Sequence, residues 1–135
     1  MKWNILRGYT SRVKSIHQFS SVSRSLDPNF LTELFTLSPF GRAYPLFSNL
    51  QSLLLEDCVT LPVVHVAVES LTTLLLDFTH TSPDSLVVLE ILDAFGECCP
   101  NMRTVRVDHL SPGPLNTAIS RQVFRWRNLW CLDCT

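Results

Sequence analysis

A six-residue pattern of apolar and polar positions recurs along the chain. It reads apolar, two variable residues, apolar, one variable residue, apolar; clear copies cover 50–55, 71–76, 102–107 and 129–134, and a degenerate copy covers 13–18. Alternating apolar residues over so short a run are typical of a β-strand with one buried face. The pattern therefore predicts five short strands. We number its positions 1 to 6, and position 7 is the residue that follows.

The residues flanking the pattern agree between copies. Asparagine directly precedes three of the four clear copies and Ser70 precedes the other, while position 7 is acidic in three copies. The clear copies start at 50, 71, 102 and 129, so their starts lie 21, 31 and 27 residues apart. Leucine-rich repeats contain one strand for about every 20–29 residues. Two of the three spacings fall inside this range and one is slightly longer. The pattern predicts a leucine-rich-repeat-like solenoid with one partial domain over 1–135.

The segments between the strands predict helices or turns. A cap and proline at Asp27-Pro28 open one helical pattern, and Ser82-Pro83-Asp84 opens a second, which we expect to stop at Gly96. A turn over 111–114 precedes a third pattern at 115–126, and the short gap around 61–64 suits a 3₁₀ turn or a loop. Strands that alternate with helices pair in parallel. The predicted fold class is α/β, with helices or turns on the convex side.

The register predicts which side chains are open to a partner. Positions 1, 4 and 6 are expected to face the core, and positions 3, 5 and 7 to face an open concave surface. The candidate protein-binding residues on that surface are Leu54, Glu56, Leu75, Asp77, Arg106 and Asp108. An apolar pair rimmed by acidic residues suits a partner with an apolar anchor and basic flanks. The alternative is that these are ordinary residues of a solvated sheet.

Composition narrows the class of protein. Hydrophobic residues make up 46% of the 135-residue chain and charged residues 17%, which favours a packed core over disorder. A formal net charge of -1 gives no electrostatic reason to expect nucleic acid or a membrane as partner. No signal peptide is recognisable, and the longest apolar run, 61–68, is too short to span a bilayer. Five cysteines without a secreted framework predict reduced thiols in the cytoplasm or nucleus.

No catalytic, cofactor or metal site is expected from the chemistry-bearing residues. The four histidines, at 17, 65, 80 and 109, lie in different segments, and the four isolated glycines cannot form a phosphate-binding loop. Cys131 and Cys134 have zinc-ligand spacing, but residues three apart on a strand point to opposite faces. We expect Cys134 in the core and Cys131 on the concave side. The chain is therefore predicted not to be an enzyme.

Three stretches carry a resemblance to a known family. Asn49-Leu50-Gln51-Ser52-Leu53, Pro100-Asn101-Met102 and the ending 119–132, with its Trp126-Arg127-Asn128-Leu129, resemble F-box/leucine-rich-repeat-like proteins abundant in mushroom-forming fungi. The resemblance implies the substrate-recognition repeats of a ubiquitin-ligase adaptor of the SCF type, which hold a protein target while an F-box docks to the ligase.

This sequence contains no recognisable F-box, so SCF components are expected as partners only if an F-box lies upstream. The alternative is a non-ligase repeat protein, or a truncated fragment without independent activity. We also expect the stack to be open at both ends, and therefore prone to associate there.

Overall fold

A computed structural model describes residues 3–19, 45–56, 66–79, 84–110 and 112–134. These ranges contain three helices and five strands. In chain order they are α1 (Trp3–Thr10), β1 (Ser15–Phe19), β2 (Ser52–Glu56), β3 (Thr73–Asp77), α2 (Ser85–Cys98), β4 (Thr104–Asp108), α3 (Pro112–Val123) and β5 (Cys131–Cys134).

The strands form one all-parallel sheet in chain order, β1-β2-β3-β4-β5. The prediction of an α/β fold with parallel strands is confirmed at this level. The helix predicted after Asp27-Pro28 and the gap at 61–64 lie outside the described residues.

The strands start later than the pattern suggested. Each begins at position 3, and β1 to β4 run on to position 7. The backbone explains the shift, since the N–H of position 1 donates to a carbonyl three residues earlier, as in Leu71 to Val68 at 3.0 Å. Position 1 therefore closes a turn, and it still contributes a fully buried side chain at Leu50, Leu71 and Met102.

Equivalent positions of neighbouring strands lie opposite each other. Leu53 is opposite Leu74, and Leu74 is opposite Val105. In β2, β3 and β4 the side chains at positions 4 and 6 are buried, while those at 3, 5 and 7 are at least partly exposed. The inward side chains share one hydrophobic cluster with Val88, Leu92 and Phe95 of α2.

The last strand departs from the predicted core. Leu132 at position 4 is 41% exposed, and Cys134 at position 6 is also exposed. The expectation that Cys134 is a core thiol is wrong, because β5 is the edge of the sheet and no further strand covers it among the described residues.

A further buried column lies three residues before position 1. It consists of Thr10, Phe47, Val68, Cys99 and Trp126, all of them buried. Each backbone carbonyl in this column accepts the N–H of position 1, at 3.1, 3.1, 3.0, 3.4 and 3.2 Å respectively. The same turn thus precedes all five strands.

Two more sets of hydrogen bonds recur from strand to strand. The carbonyl at position 2 accepts two consecutive N–H groups of the next copy, at 2.8–3.1 Å; the acceptors are Lys14, Gln51, Thr72 and Arg103. The polar residue before position 1 donates to a carbonyl of the preceding turn: Asn49 Nδ2 to Ser11 at 2.9 Å and Asn101 Nδ2 to Glu69 at 3.1 Å. The Ser70 hydroxyl lies 2.7 Å from the Leu50 carbonyl and 3.1 Å from the Ser48 carbonyl of that turn. These bonds account for the Asn or Ser found there.

Two helices differ from the expected bounds. α2 is capped by Asp84, whose Oδ1 accepts the N–H of Leu86 at 3.1 Å, but the helix runs through Gly96 to Cys98. The expected stop at Gly96 is wrong, because this glycine provides room for Gln122 of α3. α3 begins at Pro112, so the expected turn forms its first turn. Proline suits that place because a first-turn N–H has no acceptor within the helix.

Candidate protein-binding face

Positions 3, 5 and 7 of the strands line the side of the sheet opposite the buried cluster, and we call this side the open face. Three rows cross it, because equivalent positions are in register. Position 3 gives Ser15, Ser52, Thr73, Thr104 and Cys131; position 5 gives His17, Leu54, Leu75, Arg106 and Asp133; position 7 gives Glu56, Asp77 and Asp108. All six residues predicted as binding candidates lie on this face.

An apolar pair lies among the described side chains of the open face. Leu54 and Leu75 lie opposite each other on β2 and β3, and both side chains are partly exposed. In the same row they are flanked by His17 on β1 and Arg106 on β4. The pair is therefore bordered by basic side chains along its row and by carboxylates in the neighbouring row.

Arg106 lies between two carboxylates. Its Nε donates to Asp108 Oδ2 at 2.8 Å and to Oδ1 at 3.0 Å, and lies 4.0 Å from Asp133 Oδ2. The hydrogen bond that Arg106 donates to Asp108 raises the pKa of Arg106. Arg106 thus offsets much of the charge of Asp108, so the acidic row is less negative than its sequence suggests.

Asp77 is held by a cluster beyond the ends of β3 and β4. Its Oδ1 accepts the Thr79 hydroxyl at 2.6 Å and the Thr79 N–H at 3.0 Å, and lies 3.0 Å from His109 Nδ1. The Thr79 hydroxyl is the main cause of the lowered pKa of Asp77, opposed by burial and assisted by His109. His109 has a φ of 61°, a left-handed conformation uncommon outside glycine.

The geometry of this cluster does not suit nucleophilic catalysis. In a catalytic triad the hydroxyl and the carboxylate contact opposite nitrogens of the imidazole, which lets the ring pass a proton between them. Here the Thr79 hydroxyl lies 3.2 Å from Nδ1, the same nitrogen that Asp77 approaches. The arrangement can instead hold the β3 and β4 ends at a fixed separation.

The sequence did not reveal Thr79 and His109 as partners of Asp77 at the edge of this face. Thr79 and His109 follow the strands at positions where apolar alternation has ended, so periodicity gives no signal for them. The register does predict Asp133 on this face, because it occupies position 5, and the structure places it opposite Arg106. An aspartate placed across from an arginine on a neighbouring strand is a recognisable cross-strand pair.

The cysteines of the described residues differ in accessibility. Cys98, Cys131 and Cys134 are exposed, whereas Cys99 is buried and burial raises the pKa of its thiol to about 12. No group of three or more metal-ligating side chains comes together in the described part of the chain. Its helices are also too short or too polar to cross a bilayer.

Comparison with protein-family models, with curated proteins and with solved structures gave no match to this chain.

Proposed function

We propose that the chain is a leucine-rich-repeat-like solenoid that serves as a protein–protein interaction scaffold. The observation that carries this proposal is the recurrence of one hydrogen-bonded unit. Five strands follow the same turn, and each position-2 carbonyl from Lys14 to Arg103 accepts the same two N–H groups of the following copy. A solenoid is a stack of such equivalent units, each in contact only with its neighbours.

The proposed binding surface is the open face. Equivalent positions of successive repeats form a continuous surface in a solenoid, and Leu54 and Leu75 supply its apolar centre. We expect the partner to place an apolar side chain over this pair. Asp108 is already paired with Arg106, and Asp77 with Thr79 and His109. A basic flank of the partner is therefore expected near Glu56, for which no ion pair occurs within the described ranges.

The more specific form of the proposal is substrate recognition for an F-box-type ubiquitin-ligase adaptor. It is supported by the resemblance of the strand motifs and of the Trp126-Arg127-Asn128-Leu129 segment to F-box/leucine-rich-repeat-like proteins. Its setting would be the cytoplasm or nucleus, where SCF ligases act. The alternative is a repeat protein that binds its partner without ligase attachment.

Affinity capture followed by quantitative mass spectrometry tests the scaffold proposal. The bait proteins are the unsubstituted chain, a Leu54→Arg plus Leu75→Arg variant, and a Leu86→Arg control, in which the replaced side chain is 65% exposed on α2. We expect a set of proteins retained by the unsubstituted chain and the control but lost by the open-face variant. Equal capture by all three baits would contradict the open face as the binding surface.

The same experiment addresses the ligase form. Cullin and the SCF adaptor recovered with a full-length gene product that carries the repeats would support ligase attachment. Partners that depend on the open face, recovered without any SCF component, would favour the non-ligase alternative.

A further inference from the structure

Exposed apolar side chains concentrate at the two ends of the stack. Seven large hydrophobic side chains are exposed in the described residues, and only Leu86 lies in the middle of the stack. The other six are Ile5 and Tyr9 on α1, Val123 and Phe124 at the end of α3, and Trp130 and Leu132 in the last copy of the pattern. Trp130 is 83% exposed, and so much apolar surface in one place is typical of a contact site.

The two ends also have complementary backbone groups. The position-2 carbonyls of the first four copies each accept two N–H groups from the next copy. In the fifth copy this carbonyl belongs to Trp130, at the edge of β5 that no described strand covers. The equivalent pair of N–H groups belongs to Lys14 and Ser15 at the start of β1, the other strand that has only one neighbour in the described sheet. A sixth strand that began like β1 would continue the hydrogen-bonding pattern without change.

The side chains at the two ends are also complementary when equivalent positions of β5 and β1 are placed opposite each other. The Arg103 guanidinium lies 5.5 Å from the centre of the Trp130 ring, and Arg106 lies 4.0 Å from Asp133. A β1 strand placed next to β5 would bring Lys14 to the other side of Trp130 and His17 to the other side of Asp133, since they occupy positions 2 and 5. Both end residues would then lie between two basic groups, which favours this pairing.

We propose that a second copy of this chain docks head to tail, with its β1 pairing in parallel with β5. Val13 and Ile16 of that copy would cover Leu129 and Leu132 at positions 1 and 4. Its α1 would take the place beside α3 that α3 takes beside α2, and would bring Ile5 and Tyr9 towards Val123 and Phe124. One contact therefore covers the exposed apolar side chains of both ends.

This contact joins two different surfaces, so it can repeat from copy to copy. Such heterologous contacts build rings or open filaments rather than closed dimers. A symmetric dimer through two β5 edges is the main alternative. It would cover Trp130 and Leu132 but leave Ile5 and Tyr9 exposed on each chain.

Two end-blocked variants of the full chain distinguish these arrangements. The first carries Phe124→Asp plus Trp130→Asp, and the second carries Ile5→Asp plus Lys14→Glu; all four replaced side chains are exposed, so both variants should fold. Circular dichroism checks folding, and Leu86→Asp is the surface control. A reducing agent is present throughout, because Cys131 and Cys134 are exposed on β5.

Sedimentation equilibrium is the measurement. We expect the unsubstituted chain and the control to form species larger than a dimer as concentration rises, and each end-blocked variant alone to stay at the mass of one chain. An equimolar mixture of the two variants should form a complex of twice that mass and nothing larger. Dimerisation of the Ile5→Asp plus Lys14→Glu variant alone, a mixture that stays monomeric, or a monomeric unsubstituted chain would each overturn the proposal.

Discussion

Gly96 shows how a residue's role depends on a partner that is remote in sequence. A glycine near the end of a helical pattern predicts a helix stop, yet Gly96 lies inside α2. A Cβ there would lie 1.8 Å from Oε1 and 2.7 Å from Cδ of Gln122, which is fully buried and donates through Nε2 to Asp93. The sequence could not reveal this contact, because it requires knowing how α3 lies against α2.

We predict that Gly96→Ala couples strongly to Gln122. In the natural background the new methyl group displaces the Gln122 amide, and the lost hydrogen bond, about 1 kcal/mol, offsets or exceeds the helix-propensity gain of up to about 1 kcal/mol. In a Gln122→Ala background the same substitution should stabilise the protein. Urea unfolding of the four proteins gives the coupling energy.

Gly113→Ala in α3 is the control, since a Cβ there meets nothing within 4 Å. It should not destabilise the protein. An equal gain from Gly96→Ala in both Gln122 backgrounds would show that the contact does not constrain the helices.

Asp77 is predicted to make stability depend on pH. Its folded pKa is lowered, first by the Thr79 hydroxyl, so its charge stabilises the fold at neutral pH, and this contribution is lost as pH falls through the folded pKa. Asp77→Asn should cost less than about 1 kcal/mol at pH 7, because the side chain is one-third exposed.

The measurement is the urea unfolding free energy of both proteins from pH 7 to pH 3. The difference between them should shrink below about pH 4, the region of the ordinary aspartate pKa. Thr79→Val should reproduce part of the loss at pH 7. A difference that does not change with pH would contradict a charged Asp77 as the stabilising group.

At the scale of elements, the strands were more predictable than the turns and the helix ends. Period-two alternation places Leu53, Leu55, Leu74 and Leu76 in the core, because only one face of each central strand is covered. The buried column three residues before position 1 was missed. Its members run from a threonine to a tryptophan, so no shared residue type marks it; backbone geometry makes them equivalent.

Equivalent positions in central and edge strands should respond differently to truncation. Leu74→Ala removes a fully buried side chain and should cost about 2–5 kcal/mol. Leu132 occupies the same position on the edge strand β5 and is 41% exposed. Leu132→Ala should therefore lower the free energy of unfolding by less than about 1 kcal/mol at low protein concentration. Urea unfolding of both variants tests this, and equal losses would mean that β5 is covered in the monomer.

The polar residue before position 1 should contribute through its hydrogen bond. Asn101→Ala removes the bond from Nδ2 to the Glu69 carbonyl and should destabilise the protein by about 1 kcal/mol. Asn128 occupies the equivalent place in the last copy, but its side chain makes no hydrogen bond within the described residues, so Asn128→Ala is the matched control with an expected effect near zero. If thermal melts show the same midpoint for both variants, the proposed role of this position is wrong.

At the scale of the whole molecule, the sequence pattern predicts the order of the strands but not the ion pairs between their side chains. The parallel order of the strands follows from the repeated motif, because each strand pairs with the strand of the next copy along the chain. The locations of Leu54, Leu75 and the position-7 acids follow from the same register. The ion pairs of the position-7 acids do not follow from the register, because the pairing of Asp108 with Arg106 and of Asp77 with His109 depends on side-chain geometry.

The central claim is that equivalent positions of successive copies stack in one parallel register. Methyl nuclear Overhauser effects in solution NMR test it most directly. We predict contacts from Leu53 to Leu74 and from Leu74 to Val105 among the buried methyl groups, together with a separate contact from Leu54 to Leu75 on the open face. Contacts from Leu53 to Leu75, which would require a one-residue shift and exchange the two faces, would contradict the account.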